Sequence, residues 1–355
     1  MIYIATFVIS TLLFLGSQLK TEGFIEKRIS NTIFLLPALL ILIFFLGLRM
    51  DVGRDYEMYS NIFYLGYGAE KELGFKFINE LFMDLGFPFY SVLLFMAVLS
   101  ISFFYKILKR QSSDVKALTF LTFWLSGPYI YLFNVVRQGL TNLIFMYVLN
   151  RYVEKKYIHV IALIIFASLF HLSILFIILL LPLLVKKYNK RILYILFFLS
   201  LLLNFMFNIQ PIFIKFLSFV PYFGDIYGQA TLLDAFVKRS SFGLGYLFRF
   251  ILVFLTIMQY EKLSQDKKLL PYVNSFVVWG ILKILTLQVW IIERQLDYLL
   301  FAVIIVVPRL IKSFESRIFR RLLGTLIMIG LFLLFLMSTI LASPDDKMMP
   351  YNWGI

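Results

Sequence analysis

Apolar segments without charge constrain this chain more than any other feature. They recur along all 355 residues, and the more complete ones have the ~20 apolar residues that a helix needs to cross the hydrocarbon core of a bilayer. We therefore predict an all-α polytopic integral membrane protein with about 12 transmembrane helices, built as a single integral domain over residues 1–355. The predicted spans lie near residues 2–19, 30–47, 88–105, 117–133, 138–152, 157–170, 172–185, 191–208, 242–260, 270–291, 295–308 and 322–342.

Composition supports this class and excludes others. Hydrophobic residues make up 61% of the chain and charged residues only 15%, whereas soluble domains have about 25% charged residues. The net charge of +14 comes largely from short basic clusters between apolar runs, so we expect no nucleic-acid partner. The first run has no basic segment before it and no small-residue cleavage site, and it predicts a retained helix rather than a signal peptide.

Positive charge also predicts the orientation in the membrane. Alternate connections are basic, among them KILKRQSSDVK and RLIKSFESRIFRR, and the positive-inside rule assigns them to the cytoplasm. Both termini and the long connections 48–87 and 209–241 then lie outside. The first contains an amphipathic stretch, GFKFINELFMDLGFPFY, and the second is rich in aromatic residues, so we predict interfacial helices or re-entrant segments there.

Several basic residues are not explained by the orientation. A basic residue at membrane depth costs about 2.5–3.5 kcal/mol on insertion scales and needs a partner or a ligand. Each can pair within the protein, as Arg294 can with Glu293 or Asp297, but together they point to an anion such as a lipid-linked phosphate or diphosphate, which arginine binds in bidentate fashion. These residues are Arg49, Arg54, Arg137, Arg249, Lys283 and Arg294.

Candidate bases occur on the same predicted side. Asp55 is the first candidate, because a helix through 49–60 would place it on one face with Tyr59 and a carboxylate beside arginines stays ionised. His171, between two apolar runs, is the second candidate, whereas His159 adjoins a cytoplasmic basic loop. Ordinary solvated charge is the alternative interpretation for each acid. Among the acids on this side are Asp51, Asp55, Glu57, Asp225, Asp234, Glu293 and Asp297.

The sequence has few signs of a metal or nucleotide site. There are two histidines, no cysteine and no clustered Asp-x-Asp, which argues against zinc and, more weakly, against a Mg²⁺ or Ca²⁺ ion held by Asp51, Asp55 and Glu57. Neither a glycine-rich phosphate loop nor a Gly-x-Ser-x-Gly motif is present. We predict no cofactor and no metal.

Four short stretches resemble, in order, the motifs of the EpsG family and related Wzy-type polysaccharide polymerases. LRMDVGRDYEMYSNIF resembles the family signature, NVVRQGLT its Arg-Gln helix start, SLFHLSIL its Phe-His-x-Ser segment, and ERQLDYLLF its late Arg…Tyr segment. Leu172 stands where the family often has proline. The matching residues are Arg49, Val52, Gly53, Asp55, Tyr56, Tyr59, Arg137, Gln138, Phe170, His171, Ser173, Arg294 and Tyr298.

The resemblance implies a GT-C-like glycosyltransferase of the bacterial cytoplasmic membrane that joins undecaprenyl-diphosphate-linked oligosaccharides outside the cell. Its product would be an O-antigen, capsule or exopolysaccharide, and its partners would be the donor and acceptor lipids, membrane lipids and a chain-length regulator. Asp55 and His171 would be catalytic. Arg49, Arg54, Arg137, Gln138, Arg249 and Arg294 would bind diphosphate or substrate, and Tyr56, Tyr59 and Tyr298 would bind sugar.

Other membrane functions are the alternatives. A lipid flippase or transporter also has about twelve spans, but such proteins often show internal repeats and broken helices at mid-membrane, for which we find no sequence signal. A membrane sugar acyltransferase would usually have its His and Arg near the chain start, where the first 48 residues contain no histidine. A scaffold subunit would leave the outer arginines without an assignment.

Overall fold

The chain is predominantly helical. The computed structural model describes residues 1–19, 31–66, 72–207, 243–287 and 290–354, and within these ranges the strands are two residues long. The contacts divide the chain into two compact units. Unit 1 comprises residues 1–176 and 316–355, and unit 2 comprises residues 177–315. The expected single domain stays a prediction.

The elements follow the predicted runs with local differences. In chain order the first are α1 (Ile2–Gly16), α2 (Leu36–Gly47, after a π-helical turn Asn31–Leu35), β1 (Arg49–Met50), α3 (Tyr56–Leu65), α4 (Leu73–Asp84), α5 (Tyr90–Lys109), α6 (Ser113–Leu125), α7 (Pro128–Asn134), α8 (Val136–Val153) and α9 (Tyr157–Ser168). Across the boundary and in unit 2 lie α10 (Ile174–Ile177), a 3₁₀ turn (Ile178–Leu180), α11 (Leu181–Leu184), α12 (Lys190–Met206), α13 (Leu244–Met258), α14 (Tyr260–Leu263), α15 (Leu270–Thr286), α16 (Trp290–Leu300) and α17 (Val303–Ser313). The chain returns to unit 1 with α18 (Arg317–Thr339), a 3₁₀ turn (Pro344–Asp346) and β2 (Asn352–Trp353).

Three predicted spans are interrupted. The run 117–133 is two helices, because Gly127 has a φ of +110° and Pro128 then begins α7, a position that favours proline. The run 172–185 consists of short helical pieces around Pro182, and the run 295–308 breaks between α16 and α17. Apolar character predicts that such segments are buried or face lipid, but it does not locate a turn within them.

Two described helices, α5 and α18, are each long and apolar enough to cross a bilayer by themselves. Several shorter apolar helices accompany them, including α1 and α15. The count of twelve spans therefore stays a prediction.

In unit 1, α5 packs against α2 and α8, and α8 also packs against α9. The approach of α2 to α5 is close at Gly47, where an added Cβ would lie 2.6 Å from the Leu94 Cα. Small residues at such contacts let two helix backbones approach, which is how helices associate where lipid supplies no hydrophobic drive. Helix α8 is buried along almost its whole length, including its polar residues Gln138 and Asn142.

The C-terminal tail, which follows α18 from residue 340, packs against the end of α2 in unit 1. Strand β2 pairs antiparallel with β1, with Arg49 opposite Trp353. The Tyr351 hydroxyl donates to the Phe45 carbonyl at 2.6 Å, and the two rings stack with centroids 4.5 Å apart. The Tyr3 hydroxyl donates to the Met348 carbonyl at 2.8 Å. The tail thus holds the start of connection 48–87.

In unit 2, α15 is the central helix and contacts α12, α13, α16 and α17. At Gly280 an added Cβ would lie 2.7 Å from the Val253 side chain, so α13 and α15 are also closely packed. Asn274 donates to the carbonyls of Leu184 and Lys186 at 2.6 and 2.7 Å, which satisfies the backbone after α11.

Candidate functional site

Arg49, the first residue of the family-like signature, is buried with 1% of its surface exposed. Its Nε donates to the Val52 carbonyl at 3.0 Å, and its two terminal nitrogens donate to the carbonyls of Phe133, at 3.1 Å, and Leu46. The guanidinium therefore joins the end of α2 to the turn between α7 and α8. The sequence suggested a diphosphate ligand for Arg49. In the structure, the partners of its guanidinium are backbone carbonyls.

Gly53 explains why the signature needs glycine. Its φ is +99°, and an added Cβ would overlap the Phe133 carbonyl oxygen. Its N–H donates to the Lys347 carbonyl at 2.9 Å. The following N–H, of Arg54, donates to the Asn134 side-chain oxygen at 2.8 Å, while the Arg54 residue itself is exposed. The signature loop, residues 48–55 between α2 and α3, is thus packed directly on the α7–α8 turn.

Asp55 lies at the start of α3, where its carbonyl accepts the Tyr59 N–H at 3.1 Å. The helix considered through 49–60 is not formed, because residues 49–50 belong to β1 and α3 begins only at Tyr56. The Asp55–Tyr59 hydrogen bond is therefore the first one of α3. Tyr56 is half-buried with its ring 5.3 Å from that of Phe89. Tyr59 is buried, and burial raises the pKa of its hydroxyl above the ordinary tyrosine value.

An ionic cluster forms next to Tyr59. One oxygen of Glu72 accepts from an Arg137 terminal nitrogen, and the other lies 2.6 Å from His171 Nδ1. The Arg137 guanidinium also lies 5.2 Å from the Tyr59 ring centroid and 5.1 Å from that of Phe75. One carboxylate thus joins a guanidinium to an imidazole.

Three helix ends bring this cluster together. Glu72 precedes α4, Arg137 is in the first turn of α8, and His171 follows α9, where its N–H donates to the Ala167 carbonyl at 3.0 Å. The N–H groups of Gly74 and Phe75 donate to the Leu169 carbonyl at 2.9 and 3.3 Å. These bonds fix the start of α4 against the end of α9.

Gly74 is the residue that allows this approach. An added Cβ there would lie 2.7 Å from the Leu169 Cβ and 3.0 Å from the Leu169 carbonyl oxygen. Any larger residue would push α4 away from α9 and separate Glu72 from His171.

The cluster is open at the histidine. The side chains of Glu72 and Arg137 are 11% and 15% exposed, and that of His171 is 26% exposed. A carboxylate that accepts from Nδ1 fixes the ring and leaves Nε2 as a proton acceptor. The arrangement can therefore take a proton from a hydroxyl group that reaches the exposed edge of His171.

Glu72 was not among the residues selected from the sequence. Local pattern did not distinguish it from the other acids of connection 48–87, because its partners lie 65 and 99 residues away along the chain. Two signals were nevertheless available. Glu72 lies just before the amphipathic stretch, and two cationic candidates elsewhere in the chain, Arg137 and His171, had no acid assigned to them.

Gln138 is 1% exposed within α8, one residue from the cluster. The structure therefore places it inside the helix packing, whereas the sequence suggested a substrate contact. Phe170 and Ser173, which flank His171, are also buried.

In unit 2, three ionisable side chains from three different helices interact with one another. Asp297 on α16 interacts electrostatically with Arg249 on α13 and Lys283 on α15. Lys283 is 1% exposed, and its Nζ lies 4.4 Å from the Tyr246 ring centroid. One carboxylate thus partly offsets two cations, which lowers the cost of burying them.

The remaining candidates of unit 2 differ in exposure. Arg294 is partly exposed, whereas Tyr298 is fully buried, so its ring is not a free sugar platform in this structure. The predicted outer connection 209–241, with Asp225 and Asp234, lies outside the described residues, as does the side chain of Glu293. In the part of the chain that the structure describes, no three His, Asp or Glu side chains lie together as metal ligands.

These observations define a helical membrane protein with ionisable side chains held at helix ends. The chain belongs to the EpsG family, whose model matches residues 32–353, nearly the whole length. EpsG is a Wzy-like family of glycosyltransferase-like polysaccharide polymerases of membranes. Neither a curated protein nor a solved structure matches the chain significantly.

Proposed function

We propose that this protein polymerises undecaprenyl-diphosphate-linked oligosaccharide repeat units at the outer face of the bacterial cytoplasmic membrane. The product is a surface polysaccharide of the O-antigen, capsule or exopolysaccharide kind. The observation that carries the proposal is the cluster of Glu72, Arg137 and His171 beside Tyr59, on connections that the positive-inside rule assigns to the outside. Family membership supplies the class of reaction.

The proposed reaction transfers a glycan from one lipid to another. A hydroxyl oxygen of the acceptor repeat unit attacks the anomeric carbon of the donor glycan. The bond from that carbon to the diphosphate oxygen breaks, and the lipid diphosphate leaves with the bonding electrons. The hydroxyl proton passes to a base on the protein. No nucleotide is needed, because the diphosphate leaving group is already on the donor lipid.

His171 is the base that the geometry favours. Its Nδ1 is held by Glu72 at 2.6 Å and its side chain is partly exposed, so Nε2 can reach a hydroxyl group. Asp55 remains the second candidate, since it lies at the start of α3 one turn before Tyr59. This order reverses the one suggested by the sequence.

Arginines supply the charge that the leaving diphosphate requires. Positive groups already in place at a developing negative charge stabilise the transition state. Arg137 stands in the cluster itself, and Arg54 is exposed at the start of the same loop. In unit 2 we assign diphosphate or substrate binding to Arg249 and Arg294.

Aromatic side chains on the outer connections are proposed to bind sugar. Tyr56 is half-buried and can present part of its ring to a glycan, whereas Tyr59 is 1% exposed and shapes the site next to Arg137 from behind. We assign Arg49, Gln138 and Tyr298 to structural roles, because each is at most 1% exposed.

The direct test uses purified protein in lipid vesicles supplied with lipid-diphosphate-linked repeat units and no nucleotide sugar. A ladder of longer glycans on a gel is the expected result. Repeat units that stay single but change leaflet would indicate a flippase, and units that gain an acyl group would indicate an acyltransferase; either result would refute the proposal.

Two variants separate the candidate bases. We expect His171→Ala to reduce the rate by about 10²–10⁴, the usual contribution of a general base, and Asp55→Asn to reduce it less. His159→Ala is the matched control, because His159 is the second histidine of the chain and lies exposed at the predicted cytoplasmic side. Full activity of His171→Ala would remove His171 from the mechanism.

A further inference from the structure

We infer that Glu72 is a positioning residue that fixes the ring orientation and tautomer of His171, so that Nε2 is the unprotonated nitrogen facing the acceptor hydroxyl. The inference deepens the proposed function and rests on it for the role of His171 as a base. The tautomer itself is a property of the free protein and does not depend on any reaction.

The two carboxylate oxygens of Glu72 have different partners. One lies 2.6 Å from His171 Nδ1 and the other accepts from Arg137. An ionised carboxylate has no proton to donate, so a hydrogen bond at this distance requires the proton on Nδ1. In a neutral imidazole the lone pair is then on Nε2.

Glu72 is itself held in place by its neighbours. Arg137 holds its second oxygen, and the Arg137 guanidinium is itself fixed by the rings of Tyr59 and Phe75 at 5.2 and 5.1 Å. The backbone beside Glu72 is tied to Leu169 by two hydrogen bonds. The carboxylate therefore has little freedom to leave the histidine.

The contact between Glu72 and Nδ1 also affects proton transfer to Nε2. When Nε2 takes the acceptor's proton, the ring becomes an imidazolium with protons on both nitrogens. The negative charge of Glu72, already in contact with Nδ1, stabilises that imidazolium. Arg137 moderates this attraction because it shares the same carboxylate, and it stands ready to interact with the diphosphate.

The tautomer can be read directly because the chain has two histidines. In a His159→Gln protein labelled with ¹⁵N-histidine, every histidine signal comes from His171. We expect a protonated Nδ1 and an unprotonated Nε2. In the same background, Glu72→Gln should convert this signal to the other tautomer or to a mixture. A proton on Nε2 in the parent, or an unchanged tautomer in Glu72→Gln, would overturn the inference.

Activity gives a second readout. We expect Glu72→Gln to lower kcat by at least about 10²-fold, as loss of an orienting carboxylate does elsewhere, with KM for the acceptor changed less than threefold. Glu72→Ala should regain activity with added formate and not with acetamide, since a small carboxylate can occupy the vacated position. Loss of activity without formate rescue, in a folded variant, would indicate a merely structural residue.

The control for both measurements is Glu80→Gln on α4, the helix that follows Glu72. Glu80 is exposed and pairs with Lys76 at 3.7 Å, so the His171 signal and kcat should be unchanged. If the tautomer responds to Glu72 as expected while no variant and no parent protein elongates glycans, then the proposed function fails and the positioning role stands. If glycans grow normally in Glu72→Gln, the positioning role fails and the proposed function stands.

Discussion

A single glycine determines whether the signature loop can reach the α7–α8 turn. Gly53 combines a positive φ, which disfavours a side chain, with contact to the Phe133 carbonyl, which leaves no room for one. We expect Gly53→Ala to cost about 1–2 kcal/mol for its conformation and a further 1–3 kcal/mol for the overlap. The free energy of unfolding in mixed detergent micelles would measure this.

Gly66→Ala is the control for that substitution. Gly66 also has a positive φ, of +71°, but an added Cβ meets nothing within 4 Å. It should therefore lose only the conformational part, about 1–2 kcal/mol. Equal losses at the two positions would show that contact with Phe133 is unimportant.

Arg49 gives the second prediction at this scale. Lysine keeps the charge but lacks the planar fork that reaches three carbonyls. Because a lost hydrogen bond to a charged group costs about 1.5–3 kcal/mol, Arg49→Lys should destabilise unit 1 by roughly 3 kcal/mol or more. Thermal unfolding by intrinsic fluorescence would detect it.

Arg54→Lys is the matched comparison, because the Arg54 side chain is exposed. Its stability should be near that of the parent protein. If Arg49→Lys is instead as stable as the parent and binds lipid diphosphate more weakly, Arg49 is a ligand for phosphate and the structural assignment is incorrect.

At the scale of elements, the tail and the signature loop pack together and support each other. Strand β2, Tyr351 and the Lys347 carbonyl all contact residues between Phe45 and Gly53. Lys347 Nζ also lies 3.4 Å from Asp51 and 3.3 Å from Glu57, and these two carboxylates raise the pKa of Lys347. The loop is held on one side by the α7–α8 turn and on the other by the tail.

Deleting residues 344–355 should therefore release the loop while α18 stays intact. We expect faster proteolytic cleavage between residues 50 and 60 and a lower unfolding temperature, because the pairing with β1 and the Tyr351–Phe45 stacking are lost. Lys347→Ala, which removes exposed ion pairs and keeps the strand, should have a small effect. Unchanged cleavage after the deletion would show that the loop does not need the tail.

For the whole molecule, the orientation in the membrane can be tested against a clean background because the chain has no cysteine. We expect Asp345→Cys to react with an impermeant maleimide in intact cells. Ser112→Cys in unit 1 and Lys267→Cys in unit 2 should react only after the membrane is permeabilised, since both lie within basic connections. All three positions are exposed.

Labelling of Ser112→Cys from outside would reverse the predicted orientation. It would also place His171 and Glu72 in the cytoplasm, where the proposed reaction does not occur. The experiment therefore tests the side of the cluster independently of activity.

The sequence by itself determined the class of this protein and predicted the side of the membrane on which the cluster lies. Both follow from local properties, because each apolar segment has its own length and each loop has its own basic charge, whatever the rest of the chain does. It also selected Arg137 and His171, since ionisable residues among apolar helices are costly wherever they lie.

Only the tertiary structure decided what these residues contact. Arg49 and Arg137 look alike in sequence, yet one binds backbone carbonyls and the other binds Glu72. Glu72 joins residues that are 65 and 99 positions away, and the meeting of three helix ends depends on packing at Gly74. Local patterns do not encode such distant contacts, because a side chain's partner is set by how the helices pack and not by its neighbours in sequence.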